Sequence, residues 1–227
     1  MTMLLLAAFS FVGTHFILSH PLRGLLVRAL GDRIFLALYS VVAIATFVWM
    51  VVAYQSTPIG NPEWAVGTGL WVTATALTLV ASLLLAGSLI GNPAFPKGAA
   101  PDAPPGNAHG VFSITRHPMF WSFALWGVAH ILVYPVAPTF VVAGSIIILS
   151  LVGAVFQDRK KMRLQPSFWP LWVDRTSFIP LAAMVGGRAR LGGFGMAEIA
   201  GGLTLWLAAS WAHLPLAGVA AGVWAWI

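Results

Sequence analysis

Apolar residues run along this chain in long stretches, and polar ones gather in the short segments between them. Six stretches approach the ~20 residues that a helix needs to cross a hydrocarbon core, at roughly 3–20, 34–53, 67–90, 119–136, 139–156 and 195–212. Prolines mark the joints: Pro58 and Pro62, then Pro93, Pro96, Pro101, Pro104 and Pro105, then Pro135 and Pro138. The short Tyr134–Pro138 joint predicts a tight antiparallel hairpin of the fourth and fifth helices. The first stretch has no basic leader region and no clear small-x-small cleavage site before His20-Pro21, so it reads as a retained helix. With no internal repeat and no second domain in the pattern, residues 1–227 read as a single integral membrane domain. The expected fold is all-α, a polytopic bundle of about six transmembrane helices.

Two pieces fit this pattern less simply. Residues 177–185 are apolar but too short to span, and are expected at the interface or as a re-entrant piece. The tail from Leu214 to Ile227 is short too; Trp224 and Trp226 suit an interfacial position, and a seventh helix there stays open.

Composition agrees with the pattern. Hydrophobic residues make up 59% of the chain and charged ones 8%, against about 25% in soluble domains. A net charge of +6 raises nucleic acid as a partner, but the basic residues are scattered through short loops and form no recognition surface. The lipid bilayer is the expected partner. Arg23, Arg28 and Arg33 fall in loop one, Lys97 and Arg116 in loop three. Arg159, Lys160, Lys161, Arg163, Arg175, Arg188 and Arg190 fall in loop five. Every cationic side chain is therefore on one side of a six-span arrangement. That bias orients a membrane protein: the side is cytoplasmic, both termini, the N-terminus included, lie outside, and the membrane is the cytoplasmic (inner) one. With no cysteine, disulfides, iron–sulfur clusters, thiolate ligands and Cys-linked haem are excluded.

Small residues recur at every fourth position in the third span (Ala74, Thr78, Ser82, Ala86), and Ala197 and Gly201 share that spacing in the sixth. Close helix packing explains both.

Candidate chemistry centres on TRHPMFWSFALWGVAH, from Thr115 to His130. Ionisable groups inside a membrane are costly, so each is by default a functional-site hypothesis. At 1.5 Å per residue, His15 lies about 12 Å from Arg23 and His130 about 20 Å from Arg116, which puts both within the hydrocarbon region. His20, His109 and His117 belong to the cytoplasmic surface and His213 to the outer one. A buried neutral histidine needs a donor and an acceptor satisfied, and a helix-to-helix hydrogen bond explains one such residue as well as a ligand does. Two on different helices tilt toward a shared ligand.

The site offers imidazole and little else. Hard cations want oxygen ligands, and Glu198, near a helix end, is the only carboxylate at hand. Zinc needs two further ligands. Repeated His-x-x-x-His boxes of a di-iron oxidase are missing, and the three lysines all sit in loops, which excludes a retinal Schiff base. Haem fits best, because its iron needs one or two axial side chains and its ring suits apolar surroundings. Gly127, one turn before His130, would leave room for a flat ring; ordinary helix packing is the competing explanation.

Taken in order, THFILSHPLR, GDRIFLALYSVVA, GNPAFP, ITRHPMFWSFALWGVAH, DRK, RTSFIP and AHLP resemble the NnrU family, across nearly the whole chain. That family includes bacterial proteins linked to denitrification and the plastid zeta-carotene isomerases. The resemblance implies an integral membrane protein with non-covalent haem b. It also implies axial histidines in the first helix and in the Ala-His after Arg-His-Pro, which match His15 and His130. The isomerase branch carries a cysteine three residues before the second histidine. Here that residue is Gly127, so a histidine–cysteine ligand switch is impossible, which bears against carotene isomerisation and not against haem.

A different class competes. Arg116, His117, Asp158 and Pro180 distantly resemble the motif of membrane methyltransferases that act on isoprenylcysteine or phospholipid amines with S-adenosylmethionine. Arg116 and His117 are thus candidate cofactor contacts as well as a boundary anchor, with Pro118 favourable at the first helical position. A non-catalytic membrane assembly or regulatory factor is a third class. The leading expectation is haem b on His15 and His130, serving nitrogen-oxide metabolism or the haem-dependent cis–trans isomerisation of a lipophilic polyene, with a redox partner still to be named.

Overall fold

The computed structural model describes residues 1–95 and 104–227, so Pro96, Lys97 and Pro101 lie outside the described residues. Eight helices follow in order: α1 Thr2–Ser19, α2 Arg23–Gln55, α3 Thr68–Ser88, α4 Pro118–Val133, α5 Ala137–Leu164, α6 Trp169–Arg175, α7 Ala182–Val185 and α8 Met196–Ala217. Five of them (α1, α2, α3, α5 and α8) are long and apolar enough to cross a membrane, and α4 is a shorter apolar helix. The chain is a multi-pass helical membrane protein. Its outward surface agrees: Phe9 is 75% exposed, Val41 63% and Ile44 64%. Apolar faces so large must be covered by lipid rather than water.

Each expected span appears, with shifted ends. Gly31 (φ 77°, ψ 160°) interrupts α2, a conformation glycine tolerates best. The break separates a basic first segment carrying Arg23 and Arg28 from the apolar span. α5 runs past residue 156 to Leu164, because Gln157–Leu164 supplies good helix formers that remain helical outside an apolar zone. It stops at Gln165, before Pro166. α4 ends at Val133, earlier than expected, where Tyr134 and Pro135 turn the chain into the α4–α5 hairpin.

Neighbouring helices pack in the lateral order α2–α1–α5–α4–α3–α8. Leu4, Ala7, Ala8 and Phe11 of α1 meet Met50 and Ala53 of α2 and Val141, Val142 and Leu149 of α5. α4 uses another face of α5: a methyl at Gly127 would come 2.8 Å from Ile147 Cγ1 and 3.1 Å from the Ala143 carbonyl. The small-residue rows do bring α3 and α8 together. A methyl at Gly202 would lie 2.8 Å from Leu83 Cα, one at Gly201 would touch Ala86 at 3.6 Å, and Trp206 Nε1–H donates to Thr78 Oγ1 at 3.2 Å.

The two open pieces are resolved. Residues 177–185 form a bend and the short α7 at the end where the described cations gather. Leu181 takes a left-handed φ of 67° while its N–H donates to Ile114 O at 2.8 Å. After α8, Gly218 (φ 68°) caps the helix and a 3-10 turn at Gly222–Ala225 brings the tail back. Trp224 Nε1–H donates to Leu207 O and Ser210 Oγ, both at 3.1 Å. The tail is a flap on α8, not a seventh helix.

Candidate functional site

The segment Thr115–His130 spans two distinct arrangements, one at each end of α4. At the cationic end Asp158, on the extension of α5, gathers side chains from two other elements. Arg116 approaches with Nε at 2.9 Å and Nη2 at 2.7 Å from Oδ2. His117 Nε2–H donates to Oδ1 at 2.9 Å, and Trp169 Nε1–H of α6 donates to the same oxygen at 3.0 Å. A carboxylate has about four acceptor positions, so Asp158 is nearly saturated. His117 is fully enclosed; its Nδ1 has no partner among the described residues. The rings of Phe120, Trp169 and Phe178 surround it.

The RTSFIP stretch explains the rest of the knot. Thr115 Oγ1 donates to the Ser177 and Phe178 carbonyls, the Arg116 N–H to Ser177 O at 2.9 Å, and Trp121 Nε1–H to Phe178 O at 2.8 Å. Arg188 donates to the carbonyls of Asp174, in the last turn of α6, and of Thr176, just past it, at 3.0 and 3.1 Å. Such a cation at a helix C-terminus satisfies carbonyls that the helix leaves open. Arg175 donates to the Pro105 carbonyl. With its oxygens already taken, Asp158 binds α4, α5 and α6 to one another; the geometry supports the anchoring role of Arg116 and His117 over contact with a soluble cofactor. Trp169 and the two carbonyls were not foreseen, since neither an indole nor a backbone acceptor leaves a periodic trace.

The intramembrane histidines are arranged differently from the expected pair. His15 donates through Nδ1–H to Phe11 O at 2.6 Å and lies between the Phe11 ring at 4.5 Å and Tyr39 of α2 at 5.6 Å. α1 runs toward the cationic end, so His15 sits in that half of the bundle. α4 runs the other way, and His130 falls in its last turn. The depth expected for His130 was measured from Arg116, whereas the early end of α4 puts this residue near the opposite surface. Its ring lies 5.8 Å from that of His213 on α8, with planes 31° apart, and 4.0 Å from Trp126. α1 and α4 also occupy different faces of α5, so His15 and His130 do not face one another. Gly127 is likewise taken by α5, and the room expected for a ring is filled by Ile147.

What remains is a pair of imidazoles with matched chemistry. His130 Nδ1–H donates to Trp126 O and His213 Nδ1–H to Ala209 O, both at 2.8 Å. A carbonyl can only accept, so in each ring Nδ1 carries a proton, and Nε2 makes no hydrogen bond among the described residues. Metal-ligating histidines are held the same way, by a second hydrogen bond that fixes tautomer and ring direction. Among the described residues no cluster of three or more His, Asp or Glu could hold a bare metal ion. The donor set therefore suits an ion that brings most of its own ligands. Imidazole–metal bonds are about 2 Å, which puts two rings sharing one ion about 6 Å apart, close to the observed spacing. By this measure the spacing of His130 and His213 is compatible with one shared ion, and His15 does not join them.

Neither the curated proteins nor the solved structures compared with the chain yield a match. A family model described as NnrU protein matches residues 3–221, and the chain belongs to the NnrU family.

Proposed function

We propose that this NnrU-family protein is a haem b protein of the cytoplasmic membrane, with the iron held by His130 near the outer surface and His213 facing it. The observation that carries the reading is the His130–His213 pair: two rings 5.8 Å apart, each with Nδ1 tied to a carbonyl and Nε2 without a hydrogen bond among the described residues. Trp126, against the His130 ring, would help exclude water from it. His15 serves as a packing residue between α1 and α2 in this reading.

Haem there would supply a one-electron iron couple, of use in nitrogen-oxide metabolism or in the cis–trans isomerisation of a lipophilic polyene. The Trp126 and Ala209 carbonyls of this chain orient the two ligand rings. The saturated state of Asp158 weighs against the methyltransferase alternative, which needs Arg116 and its surroundings free for S-adenosylmethionine. The test is whether haem co-purifies with detergent-extracted protein and is lost on His130→Ala. A preparation free of haem despite adequate supply during expression overturns the proposal.

A further inference from the structure

Away from both sites, the turn between α1 and α2 and the end of α5 enclose an open cleft of about 620 Å³. Its lining includes Ser19, His20, Arg23, Val27, Lys160 and Arg163. Three cationic side chains and an imidazole thus share one cavity. Like charges gathered this way repel one another, and the protein offers little to offset them. Arg23 approaches Asp32 at 3.7 Å, but that carboxylate is 73% exposed. Among the described residues, Lys160 and Arg163 have no acidic partner within ion-pair distance, and Asp158 is already engaged by Arg116 and His117. The surroundings are amphiphilic: Leu22, Leu25 and Leu164 are exposed beside the cleft.

We propose that this cleft binds the phosphate group of an anionic phospholipid, with the acyl chains lying over the leucines. Two features of the cleft favour a lipid over a free anion. It opens at the cationic end of the bundle, at the level where helices α1 and α5 leave the apolar zone. It also combines a basic lining with an apolar rim, as an anionic amphiphile requires. Basic pockets between helices at the cytoplasmic face are a recurrent way to hold such headgroups. Arg23 and Arg163 reach the phosphate from two helices, and Lys160 and His20 add further donors. The inference is independent of haem binding.

The experiment follows the unfolding midpoint of the detergent-purified full chain during titration with dioctanoyl phosphatidylglycerol, dioctanoyl phosphatidylcholine or inorganic phosphate. Phosphatidylglycerol is expected to raise the midpoint saturably and phosphatidylcholine to leave it unchanged. Lys160→Gln with Arg163→Gln should weaken the apparent affinity on the order of tenfold or more, while Arg190→Gln should not. Should the double variant fail to fold, Arg163→Gln alone, on an exposed side chain, must still weaken it. An equal response to phosphatidylcholine, or a titration unchanged in the variants, overturns the proposal. Inorganic phosphate matching the lipid at similar concentration overturns the lipid assignment in favour of a free-anion site.

Discussion

Asp158 and Arg116 meet through two nitrogens of one guanidinium, with Nε at 2.9 Å and Nη2 at 2.7 Å from the same carboxylate oxygen. The side chains are 11% and 17% exposed, for Arg116 and Asp158 respectively, so neither charge can fall back on bulk water if its partner is removed. Breaking a pair of this kind costs about 3–5 kcal/mol, because the survivor stays buried and uncompensated. Asp158→Ala should therefore lower thermal stability in detergent by that order. The Arg116→Ala/Asp158→Ala double variant should lose clearly less than the sum of the single losses. Strictly additive losses would show that the pair is not coupled.

Gly127 separates two accounts of the segment before His130. As a contact with α5, it leaves a new methyl 2.8 Å from Ile147 and 3.1 Å from a backbone oxygen, and overpacking of that sort costs about 1–3 kcal/mol. Gly127→Ala should lower the unfolding midpoint and leave any haem absorption maximum where it was. A shifted maximum with unchanged stability would return Gly127 to the ring.

His20 gives the protein an acid sensitivity of known sign. Burial first, then Lys160 and Arg163, hold its pKa below the ordinary 6.5; Arg23 faces it across the cleft and Phe156 packs on its ring. The folded state thus binds a proton less readily than the unfolded one. Stability from neutral His20 is complete above pH 6.5 and is lost as pH falls through the lowered folded value. His20→Asn should flatten the decline of the unfolding midpoint between pH 7 and 5. A variant that declines as steeply as the parent would assign the sensitivity elsewhere.

The absence of cysteine makes single-cysteine reporters clean. With α1, α4 and α8 running as described and the tail folded back on α8, cysteines placed at Thr2 and at Ile227 should react with a membrane-impermeant maleimide from outside intact spheroplasts. One at Gly187 should react only after lysis. Labelling of position 227 from the inside only would mean that the tail crosses the membrane.

Much of this architecture was legible in the order of residues, because apolar runs and cation placement are one-dimensional signals. The tight α4–α5 hairpin followed from Pro135 and Pro138; small residues at every fourth position announced close packing of α3 and of α8, but not that the two would meet each other. The ends of helices were harder. Polar helix formers carry α5 to Leu164, and Tyr134-Pro135 shortens α4, so counting from Arg116 set His130 too deep. The pairing of His130 with His213 joins α4 and α8, which both pack against α3, and no local pattern reports it. Counting back from Pro135 instead would have placed both histidines at the same level. Trp169 reaches Asp158 only because α6 folds against α5, and the apolar pattern marks no element over residues 169–175.

The most direct measurement is the optical spectrum of detergent-purified protein expressed with ample haem supply, taken for the parent and for single histidine variants. A Soret band is expected in the parent, with its loss or shift in His130→Ala, a shift in His213→Ala, and no change in His15→Ala or His109→Ala. A parent without a Soret band, or a band that His130→Ala leaves untouched, would contradict haem binding at His130.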